Sequence, residues 1–151
     1  MAALSEVRRK RVRFLGLITA VIGVIFIVAG GVTWGMVSTK LAAENITVSP
    51  DAYALQGAKV VGPLEAFVQA DVISKHALEA TGGKTYAELD REDPLRATAM
   101  NASFLRASLF TSVIAFGVAL FAIGVGVVTV LIGWALRLVA AKGAPVLIET
   151  E

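Results

Sequence analysis

Two long runs without a charged residue constrain this chain more than any other feature. The first extends from residue 14 to 39 and the second from residue 107 to 136. About 20 apolar residues in a helix cross the ~30 Å hydrocarbon core of a bilayer, and both runs exceed that length. The first run is also too long for a signal peptide. The sequence therefore predicts an all-α membrane protein with transmembrane helices at residues 14–39 and 107–136.

Charge is distributed unevenly around these two runs. Residues 1–13 contain five basic residues and one acidic residue, whereas residues 40–106 contain seven basic and nine acidic ones. Cytoplasmic flanks of membrane spans are enriched in Lys and Arg. A basic segment can also bind nucleic acid or anionic lipid, but its position beside a span favours a topology signal, and we expect no nucleic-acid partner. The prediction is an antiparallel hairpin in a plasma membrane, with residues 1–13 and 137–151 cytoplasmic and loop 40–106 extracytoplasmic.

Small residues recur at regular spacing in both runs. Lipid gives helices no hydrophobic reason to associate, so close backbone approach through small residues favours their packing. Part of this pattern reflects the general abundance of Gly and Ala in membrane helices. The remainder predicts one stripe that joins the two spans and another that meets a partner. The predicted contact residues are Gly16, Gly23 and Gly30 in the first run, and Gly117, Gly124 and Gly126 in the second, with Gly31 and Gly35 forming a G-x-x-x-G and Gly133 seven residues after Gly126.

The spans lack residues that carry chemistry. They contain no Asp, Glu, Lys, Arg or His, which argues against a proton or ion pathway. Their hydroxyl groups are expected to bond their own helix backbone. The chain has no cysteine and one histidine, His76, which is too few for a three-His zinc site or a facial iron triad. We expect a protein that is not an enzyme, with no catalytic residue, cofactor or metal site.

The loop is predicted to contain several short helices. Helix starts are indicated by Ser49-Pro50-Asp51, Gly62-Pro63, the capping box Thr85-Tyr86-Ala87-Glu88, and Asp93-Pro94, whose helix should continue into the second span, while Gly82-Gly83 ends the second helix. A loop of this size is marginal as a separate core, so we expect it to pack on the membrane surface, a second copy or a larger protein. Phe67 and Tyr86 are predicted loop contacts. Trp34 and Trp134 are predicted interfacial anchors.

The segment KHALEATGGKTYAELDREDP at residues 75–94, followed by NASFLRAS at residues 101–108, resembles a family of small actinobacterial two-span membrane proteins. Members are often described as part of an aromatic ring-opening dioxygenase. An extradiol dioxygenase needs two histidines and a carboxylate for its iron, and this chain has one histidine. The architecture also resembles the prokaryotic respiratory supercomplex association factors, which implies cytochrome bc and cytochrome aa3 oxidase subunits as partners.

These observations predict a non-catalytic accessory or assembly subunit of a larger membrane complex. The resemblance points to the respiratory menaquinol:cytochrome c reductase–cytochrome aa3 oxidase supercomplex, where lipids would be further partners. The alternative is a stand-alone membrane binding or sensor protein whose loop recognises an envelope ligand or lipid. An iron dioxygenase would instead carry bound iron and lose activity when His76 is changed.

Overall fold

The computed structural model describes residues 6–141, which form three α-helices. They are α1 (Glu6–Ala43), α2 (Pro63–Ala80) and α3 (Arg96–Ala141). Residues 1–5 of the predicted cytoplasmic N-terminus and 142–151 of the predicted tail lie outside the described residues. The contacts divide the chain into two compact units, one from residues 6–31 and 120–141 of the described part and the other from Val32–Ala119.

Helices α1 and α3 are long and apolar enough to cross a membrane. The most apolar 18-residue window of each has a mean hydropathy of 2.6, and only 17% of that window is buried. Hydroxyl groups in these helices bond the carbonyl four residues earlier, as predicted. Thr19 donates to the Leu15 carbonyl at 2.9 Å, and Thr129 donates to the Val125 carbonyl at 2.7 Å. The apolar helices therefore satisfy these polar side chains internally, as a lipid environment requires.

Helix α2 begins and ends where the sequence signals predict. Pro63 occupies the first turn after the extended residue Gly62, and its fixed φ suits that position. At the other end, Gly82 and Gly83 have positive φ of 65° and 87°. The Gly83 N–H donates to the Leu78 carbonyl at 2.7 Å, which closes a Schellman motif.

The start of α3 also follows its sequence signal. The Leu95 N–H donates to Asp93 Oδ1 at 2.8 Å, and the Arg96 N–H donates to the Asp93 carbonyl at 3.0 Å. From Arg96 the helix continues without a break to Ala141. The predicted passage from the loop into the apolar run as one helix is confirmed.

The helix predicted to begin at Ser49 is wrong. The segment forms turns, and Thr47 pairs with Lys59 in an isolated antiparallel bridge. The Ser49 hydroxyl donates to Asp51 Oδ1 at 2.6 Å, whereas its N–H donates to Gln69 Oε1 on α2 at 2.9 Å. The N–H of Val48 pairs with a carbonyl across the bridge instead of entering a helix.

The helix predicted after the Thr85 capping box is also wrong. The Thr85 N–H donates to Glu88 Oε2 at 2.8 Å, so the box bond forms, but the following residues are turns. The Arg96 guanidinium donates to the carbonyls of Tyr86 and Leu89. These carbonyls therefore meet a side chain from α3 rather than the amide groups of a further helical turn.

The second unit has its own hydrophobic core. Its buried residues come from the loop, from α2 and from the parts of α1 and α3 that belong to this unit. They are Leu41, Val48, Ala52, Val60, Ala66, Val68, Ala70, Val72, Leu109 and Phe116. The loop thus packs on long-helix residues of its own unit, an arrangement that was not among the three packing partners expected from the sequence.

Candidate interaction surfaces

Two glycine pairs bring α1 and α3 together in the first unit. A Cβ on Gly23 would lie 2.6 Å from the Gly126 carbonyl oxygen, and a Cβ on Gly126 would lie 2.6 Å from the Gly23 oxygen. Gly16 and Gly133 face each other in the same way, at 2.7 and 2.5 Å. All four residues are buried. The backbones approach so closely that no side chain fits between them.

The other predicted glycines lie in different surroundings. Gly30 is buried. Gly117 and Gly124 are exposed, and a Cβ on either would have no atom within 4 Å. The same is true of Gly31 and Gly35. The structure therefore brings Gly16, Gly23 and Gly126 into one contact, and leaves Gly117 and Gly124 outside it.

A shallow apolar groove surrounds Gly124. It has a volume of about 420 Å³ and is lined by Phe121, Gly124, Val125, Val128 and Thr129. Phe121 is 72% exposed. Since successive residues in a helix are about 100° apart, Gly124 points roughly 200° away from Gly126. The part of the groove formed by Phe121, Gly124 and Val128 is thus on the side of α3 that faces away from the contact with α1.

The predicted tryptophan anchors differ from each other. The Trp34 ring packs edge-to-face on Phe116, with centroids 4.7 Å apart, and Phe116 is 1% exposed. Trp134 is 59% exposed. Trp34 therefore packs on the core of the second unit, whereas Trp134 belongs to the first unit and its side chain is exposed.

The two predicted loop contacts pack on α3. The Phe67 ring lies edge-to-face on Phe110 with centroids 5.8 Å apart, and Phe67 remains 47% exposed. The Arg96 guanidinium stacks on the Tyr86 ring, 4.1 Å from its centroid. Both side chains stabilise the loop against α3 while part of each ring stays accessible.

His76 belongs to a polar cluster at the surface of the second unit. Its Nε2 atom is 2.8 Å from Asp51 Oδ2, and Lys75 Nζ is 3.5 Å from the same oxygen. Hydrogen bonds from the Ser49 hydroxyl and then from His76 hold the pKa of Asp51 well below its usual range. The Ser49 hydroxyl bonds the carboxylate and not the imidazole, so the three groups do not form the serine–histidine–aspartate order of a hydrolase.

Glu88, the first residue of the acidic segment at residues 88–93, forms a local turn contact with Thr85. Hydrogen bonds from the Thr85 N–H and then from its hydroxyl lower the pKa of Glu88. Within residues 6–141, no group of three or more His, Cys, Asp or Glu side chains could hold a metal ion.

A further groove lies within the second unit. Its volume is about 320 Å³, and its walls combine apolar residues of α1 and α3 with hydroxyls and two charged side chains. The lining residues are Met36, Val37, Lys40, Leu41, Glu44, Ser108, Thr111, Ser112 and Ala115. No periodic pattern in the sequence indicates this groove, because it depends on two helix segments that are distant in the chain.

Comparisons of the chain with protein families, curated proteins and solved structures found no match.

Proposed function

We propose that the chain is a non-catalytic accessory or assembly subunit of a larger membrane complex. In this proposal α1 and α3 cross a bacterial plasma membrane as an antiparallel hairpin. The order of the glycine contacts supports the hairpin, since Gly16 meets Gly133 and Gly23 meets Gly126. The basic flank before α1 supports a cytoplasmic N-terminus.

The groove at Gly124 is the observation that carries the proposal. The contact between α1 and α3 uses the face of Gly126 and Gly133, and leaves the Gly124 part of the groove facing away from that contact. Small residues let a neighbouring helix approach closely in lipid, where van der Waals packing drives association. The large side chain of Phe121 projects next to Gly124, which has no side chain. This pairing of a protrusion with a depression suits a helix of another protein in the complex.

The resemblance of the two-span architecture and size to the respiratory supercomplex association factors supports a respiratory complex. A subunit of the menaquinol:cytochrome c reductase–cytochrome aa3 oxidase assembly would leave the haem and copper chemistry to its neighbours. The absence of ionisable residues from runs 14–39 and 107–136 fits a supporting role, because proton and ion pathways use such groups.

A pull-down of the tagged full chain in mild detergent tests this proposal. Visible absorption and mass spectrometry of the eluate should show haem bands together with reductase and oxidase subunits. A colourless eluate containing only the 15.8 kDa chain would contradict it. An iron assay on the same eluate tests the dioxygenase hypothesis at the same time.

A matched pair of variants locates the interface. Gly124→Leu should fill the groove and reduce partner recovery, whereas Gly31→Leu adds the same side chain at an equally open site on α1. Equal recovery with both variants, or equal loss with both, would show that the groove at Gly124 is not the interface.

A stand-alone binding protein is the second candidate. The groove beside Lys40 and Glu44 favours it, since about 320 Å³ is within the range of small-molecule sites, roughly 300–1,000 Å³. This candidate predicts a small oligomer that is stable in detergent without other proteins. Lys40→Met should then weaken lipid or ligand binding without changing partner recovery.

A further inference from the structure

A third groove lies between the beginning of α1 and the end of α3, within the first unit. Its volume is about 270 Å³, and it is lined by Lys10, Arg13, Phe14, Leu17 and Arg137. The cations come from both helices and converge on one opening. The sequence favoured a topology signal for the basic cluster before α1, with nucleic acid or anionic lipid as the alternatives, and it gave no indication that Arg137 joins the cluster.

The carboxylates of the described residues neutralise the charge of this groove incompletely. Lys10 Nζ is 3.4 Å from Glu6 Oε1, and both side chains are at least 75% exposed. Solvent therefore screens that pair strongly. Among residues 6–141, no carboxylate forms an ion pair with Arg13 or Arg137. Within this described part of the chain, the opening thus presents two guanidinium groups without a carboxylate partner and one weakly paired ammonium group.

The part of the groove that lies further along α1 is apolar. Phe14 and Leu17 follow Arg13 on the same face of α1 and are 62% and 46% exposed. A free anion or a nucleic acid would make no favourable contact with two accessible apolar side chains beside the cations. A molecule that joins an anionic phosphate to a hydrocarbon chain matches both parts of the groove.

The glycine contact positions the cation from α3. Arg137 Cγ would lie 3.0 Å from a Cβ on Gly16, so the stem of Arg137 passes over the space that this glycine leaves empty. Tight packing of α1 against α3 therefore brings the Arg137 side chain to the groove that α1 lines with Lys10 and Arg13.

We propose that this groove binds one anionic phospholipid from the leaflet next to the N-terminus of α1. Lys10, Arg13 and Arg137 hold the phosphodiester, and an acyl chain lies along Phe14 and Leu17. The inference depends on the proposed insertion of α1 and α3 in a membrane, but not on any protein partner. Because the cations belong to both helices, the lipid also links α1 to α3.

Lipid titration of the purified full chain in detergent tests the site. Native mass spectrometry counts bound phosphatidylglycerol, with phosphatidylcholine as the zwitterionic comparison. Phosphatidylglycerol should bind at least about tenfold more tightly, as expected when several cations contact an anionic headgroup. An excess of inorganic phosphate should not displace it, because phosphate lacks the acyl chain.

Two double variants with the same charge change separate a site from diffuse attraction. Arg13→Gln/Arg137→Gln should lower phosphatidylglycerol binding about tenfold or more. Arg8→Gln/Arg11→Gln is the control, since these residues are not among those lining the groove and point roughly 140° and 160° away from Arg13 on α1. Circular dichroism establishes that both variants keep their helices.

Three results would overturn the proposal. They are equal losses in the two double variants, equal binding of the two lipids, and displacement of the lipid by inorganic phosphate. Extraction of the wild-type chain from membranes by alkaline carbonate would refute the insertion itself. A chain that resists carbonate and binds phosphatidylglycerol but recovers no partner would refute only the accessory role.

Discussion

Gly23→Ala should separate α1 from α3 in the first unit. The added Cβ would lie 2.6 Å from the Gly126 carbonyl oxygen and 2.8 Å from the Val130 backbone nitrogen. Ordinary van der Waals contact begins at 3.4 Å, so the backbones must move apart by about 0.8 Å (3.4 − 2.6). Both atoms belong to the backbone of a regular helix, and neither can rotate away as a side chain could.

The expected cost follows from two opposing effects. Overpacking of a close contact costs about 1–3 kcal/mol. Replacement of Gly by Ala within a helix returns about 1 kcal/mol through higher helix propensity. Gly124→Ala is the matched control, since it has the same gain in propensity and open space around its new methyl group. The difference in packing free energy between the two variants therefore isolates the cost of the overpacked contact. It corresponds to roughly a 5- to 150-fold change in the equilibrium constant between packed and separated helices.

The assay uses the absence of cysteine from the chain. Cysteines introduced as Val7→Cys and Ala141→Cys carry a donor and an acceptor dye near the N-terminus of α1 and at the C-terminus of α3. Energy transfer is followed as sodium dodecyl sulfate is added to the protein in mild detergent. Gly23→Ala should lose transfer at a lower fraction of dodecyl sulfate than Gly124→Ala. Coincident transitions in the two variants would refute the argument from backbone contact.

Three further changes test the second unit. Phe116→Ala should lower the free energy of unfolding by about 3–5 kcal/mol, measured by denaturant titration, because the ring is almost fully buried. Asp51→Asn should flatten the loss of stability on acidification. The hydrogen bond from Ser49 is the largest cause of the lowered pKa of Asp51, so the native state binds fewer protons than the unfolded chain. The stability of the wild-type protein therefore falls as the pH decreases below roughly pH 4. An equal dependence of the melting temperature on pH in both proteins would contradict this. Glu88→Gln should speed amide exchange at Thr85, whose N–H donates to that carboxylate, and unchanged exchange would count against the bond.

The elements that the sequence predicted well are those with local causes. The bounds of α2 follow from Pro63 at one end and from Gly82 and Gly83 at the other. The start of α3 follows from Asp93, whose side chain bonds an amide two residues later. Each signal acts through the geometry of a few neighbouring residues, so its effect does not depend on what the rest of the chain does.

The incorrect predictions share a different cause. The turn at Ser49 depends on Gln69, twenty residues away, which accepts its N–H. The turns after Thr85 depend on Arg96, which donates to two carbonyls of that segment. In both places a side chain from another element takes the backbone group that a local helix would have used. A single sequence contains no pattern that reports such distant bonds.

Glycine spacing shows the same limit within the long helices. Gly117 and Gly124 are seven residues apart, as are Gly126 and Gly133, so the spacing alone treats the two pairs alike. The structure distinguishes Gly126, which meets Gly23 of α1, from Gly124, which stays exposed in the same unit. The repeat identifies helix faces that permit close approach, but not the face that is used within the chain.

The fold also changes the reason for expecting a partner. The sequence suggested a partner because loop 40–106 is too small to sustain a core, yet Leu41, Leu109 and Phe116 complete that core within the chain. The loop therefore does not require another protein for its stability. The proposal of a partner rests instead on the groove at Gly124, which the contact between α1 and α3 leaves open. Loss of the partner should accordingly leave the second unit folded, and a mutation in the groove should affect assembly without affecting stability.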